Sequence, residues 1–237
     1  NELSLSLGYN VTFLNNEVLA VDNGTGFIEG GSFGVGQPAP SRMEVGKPIG
    51  YFFGYKTDGI FQNQAEIDAH PSQLALGANA APGYIWYVDV NGDGIINAND
   101  RTNIGDPIPS ATMGLNMQLN YKNLDFAVYT FASVGNDMVR NYERTLSDAN
   151  RLNYVLDRWT GEGSTNATPR VTTGATSNNV FSDYFVEDAS YIRIQNVQLG
   201  YTLSPTVSEK IGVSKFRIYT GVNNLYTFTK YKGYDPG

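Results

Sequence analysis

The sequence has no cysteine and a single histidine, His70, in 237 residues. Without cysteine there is no disulfide framework, thiolate nucleophile, iron–sulfur cluster or Cys-based zinc site. One histidine excludes the multi-histidine catalytic zinc centres and leaves a Ser-His-Asp arrangement resting on His70 alone. Charge is scarce as well, at 16% of residues against roughly 25% in an average soluble domain. Its balance is acidic: 16 Lys and Arg face 23 Asp and Glu, a net charge of −7. That sign argues against a nucleic-acid partner, whose binders display a basic face to phosphate. Long hydrophobic runs are missing too, since no window approaches the ~20 apolar residues of a transmembrane helix. A membrane crossing by this chain therefore has to use β-strands.

What is present is alternation. Leu3, Leu5, Leu7, Tyr9, Val11 and Phe13 are interleaved with Ser4, Ser6, Gly8, Asn10 and Thr12. Period two marks a strand with one apolar face. Its length suits a tilted outer-membrane strand of ~9–11 residues better than the ~5–6 residues usual in soluble sheets. The pattern returns at Met113, Leu115, Met117, Leu119 and Tyr121. Lys122-Asn123 reads as a two-residue turn, and Leu124, Phe126 and Val128 continue the apolar face in antiparallel return. A fourth strand holds Ile192, Ile194, Val197, Leu199, Tyr201 and Leu203, with a slip at Gln195-Asn196 that predicts a β-bulge. A fifth runs through Phe216, Ile218, Thr220 and Val222, followed by Tyr226, Phe228 and Tyr231.

The connections sharpen this reading. The Lys122-Asn123 turn and the 204–214 link are short, whereas residues 14–111 and 132–190 are too long for ordinary loops. Short turns on one side and long loops on the other describe an outer-membrane barrel, with the turns toward the periplasm and the long loops outside the cell. The expected fold is all-β, part of a large antiparallel transmembrane β-barrel with long extracellular loops. Leu5, Leu7, Met117, Leu119, Val128, Leu199 and Ile218 are expected to face lipid. A soluble antiparallel sandwich with decorated loops is the alternative that alternation alone leaves open.

Inside the first long loop, Gly46, Pro48, Gly50, Gly54 and Gly59 punctuate an aromatic run of Tyr51, Phe52, Phe53, Tyr55 and Phe61. Such glycines suggest bends or close backbone approach, and no strand-then-helix context supports a nucleotide cradle. Downstream, residues Asp89 to Asp100 place side-chain oxygens of Asp89, Asn91, Asp93 and Asn97 at loop positions 1, 3, 5 and 9. Gly94 falls at 6, the Ile95 carbonyl at 7 and the Asp100 carboxylate at 12. Those are the positions of an EF-hand calcium loop, with Asp where Glu is usual, so a structural Ca²⁺ is expected. An Asx-rich turn capped by its own side chains is the competing reading. Asp183, Glu187 and Asp188 are expected as a solvated rim rather than a glycosidase pair. Trp86 and Trp159 are expected to pack inside the loops, and His70 to be an exposed loop residue without a partner. No constellation of an enzyme is present.

The run Glu44-Val45-Gly46-Lys47-Pro48-Ile49-Gly50-Tyr51-Phe52-Phe53-Gly54-Tyr55-Lys56-Thr57-Asp58-Gly59-Ile60-Phe61-Gln62 resembles a signature stretch of the SusC/RagA group of TonB-dependent outer-membrane transporters. Matching fragments follow in the family's order: Tyr87 to Asp100 into Arg101-Thr102, Ile104-Gly105-Asp106-Pro107, Gly114-Leu115-Asn116, Asp157-Arg158-Trp159 and Pro169-Arg170. Phe185-Val186-Glu187-Asp188, Ser190-Tyr191-Ile192-Arg193, Leu199-Gly200-Tyr201-Thr202-Leu203 and Tyr231-Lys232-Gly233-Tyr234-Asp235-Pro236 close the series.

The resemblance implies a barrel of about 22 strands with an N-terminal plug, importing large nutrients with energy passed on by TonB. It also implies a SusD-like surface lipoprotein partner and glycan or peptide substrates. On this reading residues 1–237 are a C-terminal portion of the barrel, without plug domain or final strands, and TonB is met by the absent N-terminal part. The expected location is the outer membrane, in contact with its lipid. The expected function is nutrient import without enzymatic activity, and the alternative is a secreted, calcium-stiffened glycan-binding β-domain.

Overall fold

In the computed structural model, which describes residues 3–22, 24–34, 37–141 and 152–237, each long alternating segment is a strand. In chain order the strands are β1 (Leu3–Phe13), β2 (Phe27–Gly30), β3 (Ser41–Glu44), β4 (Tyr51–Gly54), β5 (Thr57–Ile60), β6 (Ile85–Tyr87) and β7 (Thr102–Gly105). They continue as β8 (Ala111–Tyr121), β9 (Leu124–Val134), β10 (Asp137–Val139), β11 (Val186–Asp188), β12 (Tyr191–Thr202) and β13 (Arg217–Thr229). Two short helices are α1 (Gln64–Asp68) and α2 (Pro205–Lys210), the latter with Pro at its start, where a missing N–H costs nothing. The chain divides into two compact units.

The first unit comprises Asn1–Asn15, Ile108–Asp137 and Asp188–Gly237. Its five-stranded antiparallel sheet has the order β1-β8-β9-β12-β13. Register aligns the apolar positions of all five strands in common rows, such as Leu7–Met117–Val128–Val197–Val222 and Leu5–Leu119–Phe126–Leu199–Thr220. Rows of the opposite face are polar or small, as in Ser6–Gln118–Ala127–Gln198–Gly221. The turn at Lys122 has the positive φ (52°) that a tight hairpin demands. The expected bulge is present: the register of β12 shifts between Ile194 and Asn196 against both neighbours. Asn224 at φ 50° absorbs the matching irregularity in β13, so the apolar parity is restored at Tyr226 and Phe228.

The second unit comprises Asn16–Pro107 and Met138–Glu187. The spans expected as loops, 14–111 and 132–190, are thus for the greater part folded structure, and β9 runs on to Val134. A four-stranded sheet has the order β2-β3-β4-β7, and β5 pairs with β6. Tyr55, Ile85, Tyr87, Ile96 and Val180 form one core, and Phe33, Phe181 and Phe185 another. The aromatic–glycine run is the backbone of this packing. A Cβ on Gly54 would sit 2.9 Å from a ring carbon of Phe181 and 3.0 Å from its carbonyl oxygen, so only glycine lets β4 approach. Strands of three or four residues carry too few periods to be read from sequence, and a partner lies as far as 53 residues away, as Gly105 does from Phe52.

Candidate functional site

The sheet of the first unit exposes both of its faces. All eleven residues of β1 are exposed, and Leu3, Leu5, Leu7 and Tyr9 are each more than half accessible. Leu199, Ile218, Val222, Tyr226 and Phe228 are exposed on the same face. Tyr121 and Tyr201 stand at the turn end of this face, with Tyr9, Tyr226 and Phe228 toward the other. The polar face carries fixed charges. Arg217 Nε donates to Asp125 Oδ1 at 3.0 Å, reaching from β13 to β9 across Gly200, where any side chain would collide with both groups. Arg193 pairs with Asp235 and donates to Thr227 Oγ1 and the Gly237 carbonyl, each at 3.0 Å.

In the second unit the Asp89–Asp100 loop is a lattice of side chains accepting backbone N–H groups. Asp89 accepts from Gly92 (2.7 Å), Gly94 (2.8 Å) and Asp93 (3.3 Å). Asn91 accepts from Asp93, Asp93 from Ile95, and Asn97 from Asn99. Asp100 is fully buried, accepting from Val90 (2.9 Å) and Asn97 (2.8 Å). The Gly94 N–H foremost, then those of Gly92 and Asp93, hold the Asp89 carboxyl below the usual carboxylate range. The Ile95 carbonyl accepts from Asn97 Nδ2 at 3.2 Å. Every oxygen expected as a cation ligand is therefore present and engaged by a donor of the loop itself. Among the described residues no group of three His, Asp or Glu side chains is placed to hold a metal ion.

Two other expectations change. His70 is half-buried, its Nδ1 2.7 Å from the Pro71 carbonyl and its Nε2 2.9 Å from that of Tyr87, with Phe61 and Trp86 against its ring. Of the acidic trio, Asp188 is exposed as expected, whereas Asp183 and Glu187 are half-buried. Asp183 accepts from the N–H and hydroxyl of Thr57, Glu187 pairs with Arg140 at 3.4 Å, and Asp188 accepts from Ser190 N–H. Both tryptophans are half-buried, and Trp159 Nε1 donates to Gln62 Oε1 at 3.1 Å.

No protein-family model matches the chain. TonB-dependent receptor P3 of Formosa agariphila is 30% identical over 236 residues, covering 99% of this chain and 23% of the receptor. TonB-dependent receptor P26 of the same organism is 32% identical over 203 residues, 83% of this chain and 20% of that one. TonB-dependent receptor SusC of Bacteroides thetaiotaomicron is 29% identical over 241 residues, covering 99% of this chain and 22% of SusC. This chain is a relative of the SusC-type TonB-dependent receptors. It spans about a quarter of their length. A solved structure of the RagAB peptide transporter shares its fold at a TM-score of 0.73 and 21% identity, over 99% of this chain and 25% of that one. The relatives are receptors and transporters rather than enzymes, and outer-membrane proteins, which gives this chain its location.

Sequence reasoning missed an arginine pair. Arg42 and Arg101 lie with their guanidinium carbons 3.5 and 4.5 Å from the Phe53 ring centroid, and both reach Glu29 Oε1, at 2.7 and 3.4 Å. Phe53 stands inside the signature run, but Arg42, Arg101 and Glu29 are scattered, and no spacing rule unites them. Burial raises the phenol pKa of Tyr51 and Tyr87 well above the ordinary value, so both stay neutral packing groups.

Proposed function

We propose that this chain supplies part of the wall and part of the external structure of a barrel-type importer that takes up glycans or peptides. The observation that carries the reading is the apolar face continuous across five strands, with a polar face behind it. An apolar surface of that extent in water is an aggregation hazard, whereas in lipid it matches its solvent. Open strand edges do not occur in hydrocarbon, so β1 and β13 pair with further strands of the whole receptor. The chain leaves Phe13 and Val134 from the strand ends opposite the Lys122-Asn123 turn, which supports an outer-side position for both insertions. Energy from TonB and capture by a SusD-like lipoprotein belong to this proposal. Their support is the relationship to SusC and the likeness to RagAB. Growth of a strain lacking the intact receptor on a panel of glycans and peptides tests the import reading, and unimpaired growth on every substrate refutes it. An intact receptor that stays monodisperse without detergent refutes the wall and favours a secreted glycan-binding domain.

The calcium role of the loop is a proposal in a restricted form. Asp89, Asn91, Asp93, Ile95, Asn97 and Asp100 already form a hydrogen-bonded turn, so a cation has to displace N–H donors to bind. We therefore expect weak affinity, about 10⁻⁴–10⁻³ M as in extracellular calcium modules, with a structural effect only. A calorimetric titration of the intact receptor without saturable binding at millimolar calcium leaves the self-capped turn alone.

A further inference from the structure

The second unit holds a cleft of ≈ 280 Å³ that neither the wall nor the calcium loop uses. Asp58, Gln62, Glu66, Trp86, Thr165 and Asn166 are among its lining residues, which include two carboxylates and no basic group. Trp86 sits in β6 between the buried Ile85 and Tyr87 and so points to the opposite side of the strand. One face of its indole lies on Phe61, with ring centroids 5.0 Å apart and planes 16° apart. His70 stands nearly perpendicular, 4.8 Å from Trp86 and 5.1 Å from Phe61. A ring that close to both members of a stack lies beside it, so the outer indole face is covered by neither. The amides are committed to the frame. Gln62 Nε2 donates to the carbonyls of Ile60 and Thr165, its Oε1 accepts from Trp159 and Gly163, and Asn166 Oδ1 accepts from Ile60 N–H. Glu66 is held by the Gln62 N–H at 2.7 Å. Asp58 is exposed, and its carboxylate makes no hydrogen bond or ion pair with a described residue.

We propose that this cleft takes the cationic head of a lysine or arginine side chain presented by a peptide. The face of an indole attracts a cation through its quadrupole. Asp58 and Glu66 supply charge-assisted acceptors, which are the stronger class of hydrogen bond and suit a guanidinium in particular. The methylene stem of such a side chain covers the apolar part of the lining. An anionic ligand meets two like charges, and a neutral sugar, whose hydroxyls can donate to the carboxylates, leaves their net charge uncompensated. The volume lies at the small end of ligand sites, roughly 300–1,000 Å³, and fits one side chain rather than an oligomer. The hydrogen bonds of the amides fix the walls before a ligand arrives, which lowers the cost of binding. The inference concerns binding alone and stands whether or not the receptor imports what it binds.

Calorimetric titration of the intact receptor in detergent with N-acetyl-arginine amide tests it, against the neutral isostere N-acetyl-citrulline amide. A saturable Kd of about 1 mM is expected for a ligand of this size. Affinity should fall about tenfold or more for the citrulline compound, for Asp58→Asn and for Trp86→Leu, and should weaken with added salt. Asp58→Asn alters an exposed group without a structural partner, so a folded variant is available to measure. Equal affinity for the two amides, binding untouched by Asp58→Asn, or no saturable heat with the arginine compound would each overturn the proposal.

Discussion

Leu7 provides the sharpest test of the wall. It is 62% exposed, so replacing it removes little protein packing, and in water Leu7→Arg falls within the ~0.5 kcal/mol typical of surface changes. In lipid the same change buries a guanidinium in hydrocarbon. Leu7 lies midway between Leu3 and Val11 on the apolar face of β1, which ends one row further on at Phe13. Rows are two residues apart, about 7 Å along a strand, or about 5 Å of membrane depth at a ~40° tilt. Leu7→Arg should then cost about 2–4 kcal/mol, while Leu3→Arg and Val11→Arg, roughly 10 Å nearer the two interfaces, should cost about 0–1 kcal/mol. Ser6→Arg, on the polar face opposite Gln118, should cost little. The measurement is urea-dependent folding of the intact receptor into lipid vesicles, extrapolated linearly to water. A flat depth profile, or equal losses for Ser6→Arg and Leu7→Arg, refutes the lipid assignment.

Gly54→Ala places a Cβ 2.7 Å from the Ile104 Cδ1 as well as against Phe181. It should destabilise the second unit by about 1–3 kcal/mol, read as earlier thermal unfolding or faster proteolysis there. Asp100→Ala removes the acceptor of Val90 and Asn97 N–H groups at a buried position, and about 1–3 kcal/mol should be lost locally, visible as faster amide exchange across residues 89–100. Because the folded pKa of Asp89 lies below the unfolded value of ~3.9, its contribution is complete above that value and is lost as pH falls through the lower folded one. Loop order followed by NMR should therefore hold at pH 5 and fail only below about pH 4, and Asp89→Asn should abolish that transition. Replacing both Asp89 and Asp93 with Ala should remove any calcium binding, while Asn97→Ala should only weaken it, since position 9 often coordinates through water.

Much of the first unit was legible because its information is local. Alternation along β1, β8 and β12 names the two faces, the Lys122-Asn123 turn sets one register, and the broken parity at Gln195-Asn196 marks the bulge. The second unit was legible only as family resemblance. Its signature run proved to be a packing element, with Gly54 permitting a close approach and Tyr55 and Phe61 buried, and nothing in the run states its partners. The site residues divide in the same way. Spacing alone assembled Asp89 to Asp100 in one loop, but whether their oxygens meet a cation or backbone N–H groups depends on how the turn closes.

By itself the sequence determined that the chain is all-β, that its long strands have one apolar and one polar side, and which residues stand on each. A side-chain period of two follows from strand geometry and needs no tertiary partner. Only the tertiary structure decided that residues 16–107 and 138–187 fold around cores of their own. It alone gave His70 two carbonyl neighbours, turned Asp183 and Glu187 into internal ties, and set Trp86 over a cleft with Asp58 and Glu66. Those arrangements join residues up to 126 positions apart, as Thr57 and Asp183 are. Contacts at that separation arise from the packing of many short segments at once, and no local pattern in the chain encodes them.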